Sequence, residues 1–329
     1  MNTTNKREHL NIVHILTMCA DIKSKKTVLF ISDEKTVSIA EKFINQARLL
    51  NPACEILHEK IVMLARHGQK PPETVREKML LADITLCLST FSLAHSQARL
   101  DAQKLNKYFL SMPLYTIDLL QDPCLSVDYK KQLSFVEYVA SRFTSGNKVH
   151  VTSEKGTDLH LNIENRVGNI CPGFVADSYN LGSPPDIEAN VSPDESSSSG
   201  VLVIDGSITC PEIGLLSDDV VFEVADGMIQ KIVSKNEILK NKLENIFFSG
   251  DPKRRVLAEL GVGLNPLAKL TGSMLTDEGT METIHCGFGS NSTVGGQNNV
   301  DFHLDCVLRN PSLKIDGKLM MNQGTIIYD

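Results

Sequence analysis

The feature that most constrains this chain is a change of hydrophobic period close to residue 148. Before it, short β-rich runs alternate with amphipathic stretches. Thr27–Ser32 reads as a buried strand, followed by helical spacing of Val37, Ile39, Ala40, Phe43, Ile44 and Ala47. Cys54–His58, Ala82–Leu88 and Tyr108–Pro113 read as further strands, with a helix from Ala94 to Asn106. Strand, helix, strand at these lengths makes βαβ units and hence a parallel sheet. After residue 148 the period becomes two. Lys148–Thr152 and Asp158–Ile163 alternate around Lys155-Gly156-Thr157, and Gly200–Asp205 is a further strand. Val220–Val224 turns through Asp226-Gly227 into Met228–Ile232, and Leu313–Ile315 turns through Asp316-Gly317. One helix is expected between Asn236 and Phe248, and Ser196–Ser199 reads as a loop between strands. The expected fold is an α/β N-terminal domain with an open, mostly parallel sheet (1–147). An α+β C-terminal domain of mostly antiparallel strands (148–329) follows. A length of 329 residues suits two cores.

Charge and composition remove several classes of function. A formal charge of −7 and the lack of any basic run of five or more argue against nucleic acid and anionic membrane as partners. Aromatic residues are only 5% and Trp is absent, so base-stacking platforms are not expected. A small molecule or peptide is the expected substrate. No stretch approaches the roughly 20 apolar residues of a membrane span. Lys6 and Arg7 before an apolar run have the outline of a signal peptide. However, Leu10, Val13, Leu16 and Met18 recur at helical spacing, broken by Asn11, His14 and Asp21, and a cytoplasmic protein is expected. The eight cysteines stand singly with no Cys-x-x-Cys pair, which predicts free thiols rather than a zinc ribbon or redox site. No glycine-rich phosphate turn follows the first strand, so the first domain is expected to bind no nucleotide.

The residues that carry chemistry lie in the second half. In Asp301–Val307 strict alternation puts Asp301, His303 and Asp305 on one face, while Phe302, Leu304 and Cys306 point to the core. A His and an Asp two apart on a strand converge as a metal site requires, although a plain His–Asp hydrogen bond has the same pattern. His285 lies in Thr283–Gly289, again alternating, with glycines that let a ligand or backbone approach. Two imidazoles and a carboxylate match the donor set of Zn, Mn or Fe(II). Glu188 sits in a proline-bounded extended segment. Glu259 sits among apolar neighbours, where a carboxylate must be bound to a metal or paired, with Arg254 or Arg255 as the alternative partners. Asp277-Glu278 reads by default as surface charge.

Several segments together carry a resemblance. They are Glu259–Pro266, Asp277–Thr280, Ile284–Gly289, Gly295-Gly296 and His303–Asp305, with Ser92–Arg99 and Ser111–Pro113 in the first half. In this order the chain resembles the leucyl aminopeptidase T group of M29-type metallopeptidases. The resemblance implies an α/β N-terminal domain, a C-terminal catalytic domain and a homodimer. It also implies a two-metal site whose ligands fall on Glu188, Glu259, His285, His303 and Asp305. Two positions depart from the peptidase pattern: Ile187 precedes the first Glu instead of Gly, and Gly289–Thr293 contains no Tyr. A second branch of the superfamily, the Fe(II)-dependent ring-opening dioxygenases of dihydroxypyridine breakdown, is similar over the same segments.

Three functions follow. The favoured one is a metal-dependent, aminopeptidase-like hydrolase of peptides or small amides, using two Zn, Co or Mn ions. In it Glu278 captures the substrate amine or moves a proton. The alternative is a mononuclear Fe(II) ring-opening dioxygenase of a hydroxylated aromatic, held by His285, His303 and Asp305, with His95 and Arg99 binding substrate. The third is a non-catalytic binding partner, since fold does not fix function.

Overall fold

The computed structural model describes residues 3–328. Helix α1 (Thr3–His14) precedes β1 (Thr27–Ser32), α2 (Val37–Leu50), β2 (Glu55–Lys60), α3 (Glu73–Leu81) and β3 (Ile84–Cys87). Next come α4 (Gln97–Lys104), β4 (Tyr108–Ser111), α5 (Ile117–Gln121) and α6 (Tyr129–Ser145). Strands β5 (Lys148–Thr152), β6 (Asp158–Asn162), β7 (Asn169–Cys171), β8 (Leu181–Gly182) and β9 (Glu188–Val191) follow. Then come β10 (Ser199–Ile204), β11 (Ser207–Ile208), β12 (Gly214–Leu215), β13 (Val220–Ala225), β14 (Met228–Ser234) and α7 (Glu237–Phe248). The chain continues through β15 (Leu257–Gly263), α8 (Met274–Asp277), β16 (Thr283–Gly289) and β17 (His303–Arg309). It closes with β18 (Ser312–Ile315), β19 (Lys318–Asn322) and β20 (Thr325–Ile326).

The chain divides into two units, and the division is not a single cut between 147 and 148. The first unit comprises residues 1–132 and 171–185, the second 133–170 and 186–329. The return of 171–185 has a local cause: β8 adds to the free edge of β4 through Phe109 and Leu110. Two residues of strand are too short to show a period in sequence.

The first unit is the expected α/β fold. Its sheet has the order β2-β1-β3-β4-β8 with parallel pairing throughout. The β-branched and aromatic run of β1 suits the central position. Leu29 and Ile31 are fully buried and join a core with Val75, Met79 and Phe109. Helix α2 buries Ile39, Ala40, Phe43, Ile44 and Ala47 as its spacing predicts. The strand order reverses between β1 and β3, where open α/β sheets usually bind ligands. Here the fully buried Asp33 accepts the Thr90 N–H at 2.6 Å and its hydroxyl at 3.1 Å. The polar groups at the switch point therefore bond to each other.

The second unit holds two sheets. One runs β14-β13-β10-β6-β5-β18-β19-β20 with antiparallel neighbours. The other runs β12-β11-β17-β16-β15-β9-β7, antiparallel from β12 to β9. Both expected tight turns form, with Asp226 and Asp316 at φ 52° and 49° ahead of glycines that also have positive φ. Phe222 of β13, Phe247 of α7 and Phe288 of β16 meet edge-to-face, with centroids 5.5, 5.6 and 5.7 Å apart. Each such contact stabilises by about 0.5–1.5 kcal/mol beyond area burial. They fix one face of β16 against the core and leave the other to carry polar groups. Among the described residues all eight cysteines are free thiols, and no helix is long and apolar enough to cross a membrane.

Candidate metal centre

Four adjacent strands build a polar face by the same rule: every second position carries a donor or a glycine. On β9 these are Glu188 and Asn190, on β15 Glu259, Gly261 and Gly263, on β16 His285, Gly287 and Gly289, and on β17 His303 and Asp305. The register pairs glycines with donors across the ladders: Gly263 with Glu188, Gly261 with His285, Gly287 with Asp305 and Gly289 with His303. A side chain opposite a glycine can lean across the neighbouring strand. A Cβ on Gly261 would stand 2.0 Å from His285 Nε2, and one on Gly287 2.7 Å from Asp305 Oδ1 and 2.8 Å from His303 Nε2. The glycines supply the volume in which the donors meet.

Glu259 reaches this face through a β-bulge. Leu257 pairs with Phe288, whereas Glu259 pairs with Gly287, so one residue of β15 is extra. In an unbroken ladder Glu259 would oppose Cys286 and point into the core. The bulge turns it to the donors instead.

The resulting cluster is tight. His285 Nε2 lies 3.0 Å from Glu188 Oε2 and 3.7 Å from Glu259 Oε1. His303 Nε2 lies 3.5 Å from Glu259 Oε2 and 3.2 Å from Asp305 Oδ1. Glu259 thus offers one oxygen to each imidazole. The orientation of each donor is fixed from behind. Asn190 Nδ2 donates to Glu188 Oε1 at 2.7 Å and is itself bonded through Oδ1 by Asn169 Nδ2 at 2.8 Å. His303 Nδ1 donates to the Ser290 carbonyl at 2.8 Å, which presents Nε2 to the carboxylates.

Two further carboxylates belong to the cluster. Asp186 precedes Glu188 by two residues and is buried; burial and the Glu188 charge hold its pKa well above the ordinary range. Burial and the nearby Asp305 do the same to Glu278. Burial also raises Glu259, eased by its contact with His285. For Asp305 the burial penalty is outweighed by His303, and its pKa is lowered. Burial alone would depress both histidines. The Glu188 charge reverses this for His285, raising it well, and Asp305 and Glu259 raise His303 to about 10.

Five carboxylates face two imidazoles, with Asp186 Oδ1, Glu188 Oε2, Glu278 Oε1 and His285 Nδ1 buried and without a hydrogen bond. A buried polar atom left unsatisfied costs about 1–3 kcal/mol, more if charged. A divalent cation answers both the surplus negative charge and the idle oxygens. Glu188, Glu259 and His285 each offer a ligand atom within 4.8 Å of the others, a set able to hold a metal ion.

The five expected ligands, Glu188, Glu259, His285, His303 and Asp305, therefore come together. The alternative pairing of Glu259 with Arg254 or Arg255 does not form: Glu259 contacts the two histidines. Asp277-Glu278 is not surface charge. Asp277 is fully buried and accepts from Ser207 Oγ (2.6 Å), Thr271 N (2.7 Å) and Gly272 N (2.8 Å). Asp301 lies before β17 and does not share its face. His95, exposed, and Arg99, buried with Nε donating to Ala94 O, belong to the first unit, and the cluster belongs to the second. Sequence reasoning missed Asp186 and Asn190. Their signal was the same alternation, Asp186-x-Glu188-x-Asn190.

The fold and the site define an α/β protein with a largely buried carboxylate–imidazole cluster able to hold a metal ion. The family model described as 2,5-dihydroxypyridine 5,6-dioxygenase (NicX) matches residues 13–328, and the chain belongs to that family. The 2,5-dihydroxypyridine 5,6-dioxygenase of Pseudomonas putida KT2440 is 26% identical over 191 residues, 54% of this chain and 54% of that protein, so the aligned part spans about half the relative's length. The solved structure of 2,5-dihydroxypyridine dioxygenase from Pseudomonas putida KT2440 superimposes with TM-score 0.83 at 19% identity, covering 99% of this chain and 98% of that one. AmpT from Thermus thermophilus superimposes with TM-score 0.68 at 13% identity, covering 98% and 100%. At those identities the likeness is one of fold. The resemblance to the dihydroxypyridine dioxygenases holds at the level of family, and the likeness to AmpT is one of fold alone. The family match and the Pseudomonas relative overturn the aminopeptidase and metalloprotease reading in favour of a dioxygenase family. The five-ligand set misled because one arrangement of carboxylates and imidazoles serves more than one chemistry.

Proposed function

We propose that this protein is a metal-dependent ring-opening dioxygenase of a dihydroxylated pyridine or a closely related hydroxylated aromatic, with Fe(II) as its metal. The observation that carries the reading is that the family match, residues 13–328, spans the strands that build the carboxylate–imidazole cluster. The donors would come from Glu188, Glu259, His285, His303 and Asp305. Imidazole and carboxylate are the donor types that non-haem Fe(II) oxygenases use. Fe(II), when bound, supplies the redox chemistry that lets dioxygen react with an electron-rich ring.

The chain's own groups do the rest. Asn190 orients Glu188, and the Ser290 carbonyl fixes the His303 tautomer. Glu188, Glu259, His285 and Asp305 are buried, which keeps water from them and strengthens their electrostatic contacts, while His303 stands at the exposed edge of the donor face. Glu278 Oε1 and Asp186 Oδ1, buried and without a hydrogen bond, are the groups we assign to hold a proton that a ring hydroxyl would release.

The test is oxygen uptake by the Fe(II)-loaded protein with 2,5-dihydroxypyridine and with catechol-type rings. The expected result is one Fe per chain and a ring-opened product that carries both atoms of labelled dioxygen. A fully loaded protein that consumes no oxygen with any dihydroxylated ring overturns the proposal.

A further inference from the structure

A second group of metal-ligating side chains stands on the other sheet of the second unit. His150 of β5 and His160 of β6 are directly opposite each other, and their rings stack with centroids 4.1 Å apart and planes 9° apart. Both direct Nε2 at the same carboxylate oxygen, Asp158 Oδ1, at 2.7 Å and 3.5 Å. The three ligand atoms lie within 4.8 Å of one another.

A hydrogen bond explains only part of this. Asp158 Oδ1 sits at bonding distance from His150, while His160 is drawn to the same point without reaching it. Two imidazole nitrogens and one carboxylate oxygen converging on a point is the donor set of a borderline divalent ion, with the remaining position left to water. The strands are interior to an eight-stranded sheet, so both Cβ positions are rigid: β18 flanks β5 and β10 flanks β6. On the same face Lys314 is level with His150 and Ser199 with His160. The opposite face, with Val149, Val151, Leu159 and Leu161, is buried. The side chains of Asp158 and His160 are 68% and 61% exposed, which gives an ion open access.

We propose that His150, Asp158 and His160 form a surface site for Zn²⁺ or Cu²⁺, separate from the buried cluster. Because the ion joins β5 to β6 in the folded chain alone, it also stabilises that hairpin.

The experiment titrates the full chain with Zn²⁺ by calorimetry in three forms: wild type, His150→Gln/His160→Gln and His303→Ala. One binding event should disappear, or weaken by roughly tenfold or more, in the double variant and persist in His303→Ala. With Cu²⁺, electron paramagnetic resonance of His303→Ala should show coupling to two nitrogens that the double variant lacks. Unchanged Zn²⁺ stoichiometry and affinity in the double variant overturn the site. His160 is exposed and His150 half-buried on the face away from Val149 and Val151, so their replacement leaves the core intact. Failure here leaves the dioxygenase reading untouched, because that reading is tested by oxygen uptake at the buried cluster.

Discussion

Gly261 and Gly287 do as much for the buried cluster as the donors, because they are the only residue type whose side of the ladder leaves room for an imidazole or carboxylate to lean across. Gly261→Ala would place a methyl 2.0 Å from His285 Nε2, a separation no packing tolerates. The variant should lose bound metal and ring-opening activity together, measured by elemental analysis and oxygen uptake. Full metal content in Gly261→Ala would remove His285 from the ligand set. His303 and Asp305 make the complementary case. His303→Ala should abolish Fe(II) binding at the buried cluster, since losing one of a few ligands on a single ion is rarely tolerated. If the variant retains Fe(II) when His150 and His160 are also replaced, the iron site is elsewhere.

At the scale of elements, the segment after β16 positions His303 through the Ser290 carbonyl. That segment is pinned by Glu195, which accepts from Arg166 Nη2 (2.6 Å), Asn291 Nδ2 (2.9 Å) and Gln297 N (2.6 Å). Burial opposes ionisation of Glu195, but these donors outweigh it and hold its pKa at about 2, below the ordinary 4.5. A depressed carboxylate contributes stability above its unfolded pKa and loses it as pH falls through the folded value. The wild type should therefore be more stable than Glu195→Gln at neutral pH. The difference should narrow as pH falls from about 4.5 to about 2, read from urea midpoints. A difference that stays constant across that window would mean Glu195 acts through packing alone.

For the molecule as a whole, the cluster links metal, protons and folding. The carboxylates raise the pKa values of His285 and His303, which favours protonated imidazoles whose protons a cation would displace. Metal binding should release protons, so its calorimetric enthalpy should vary with the ionisation enthalpy of the buffer. A buffer-independent enthalpy would show that neither histidine yields a proton to the ion. Binding to the folded chain alone should also raise Tm, and chelation should lower it.

The sequence by itself determined the two textures, the parallel first sheet, both Asp-Gly hairpins and the donor identities, because each is written in local period or residue chemistry. His285-x-Gly287 and His303-x-Asp305 share the period-two rule that made the site legible, and Asp186-x-Glu188 follows the same rule unread. What only the tertiary structure decided is where that rule breaks. Leu257 and Glu259 have the same parity, yet one faces the core and the other the cluster, because a bulge inserts a residue that no alternation reveals. Asp277-Glu278 reads as solvated charge until the backbone amides of Thr271 and Gly272 and the Ser207 hydroxyl are brought to Asp277 from elsewhere in the chain. The first unit borrows β8 from beyond residue 170, since two residues pairing with an edge strand carry no periodic signal. Local pattern sets what each segment is. Hydrogen bonds between distant segments set which face it shows and which unit it joins.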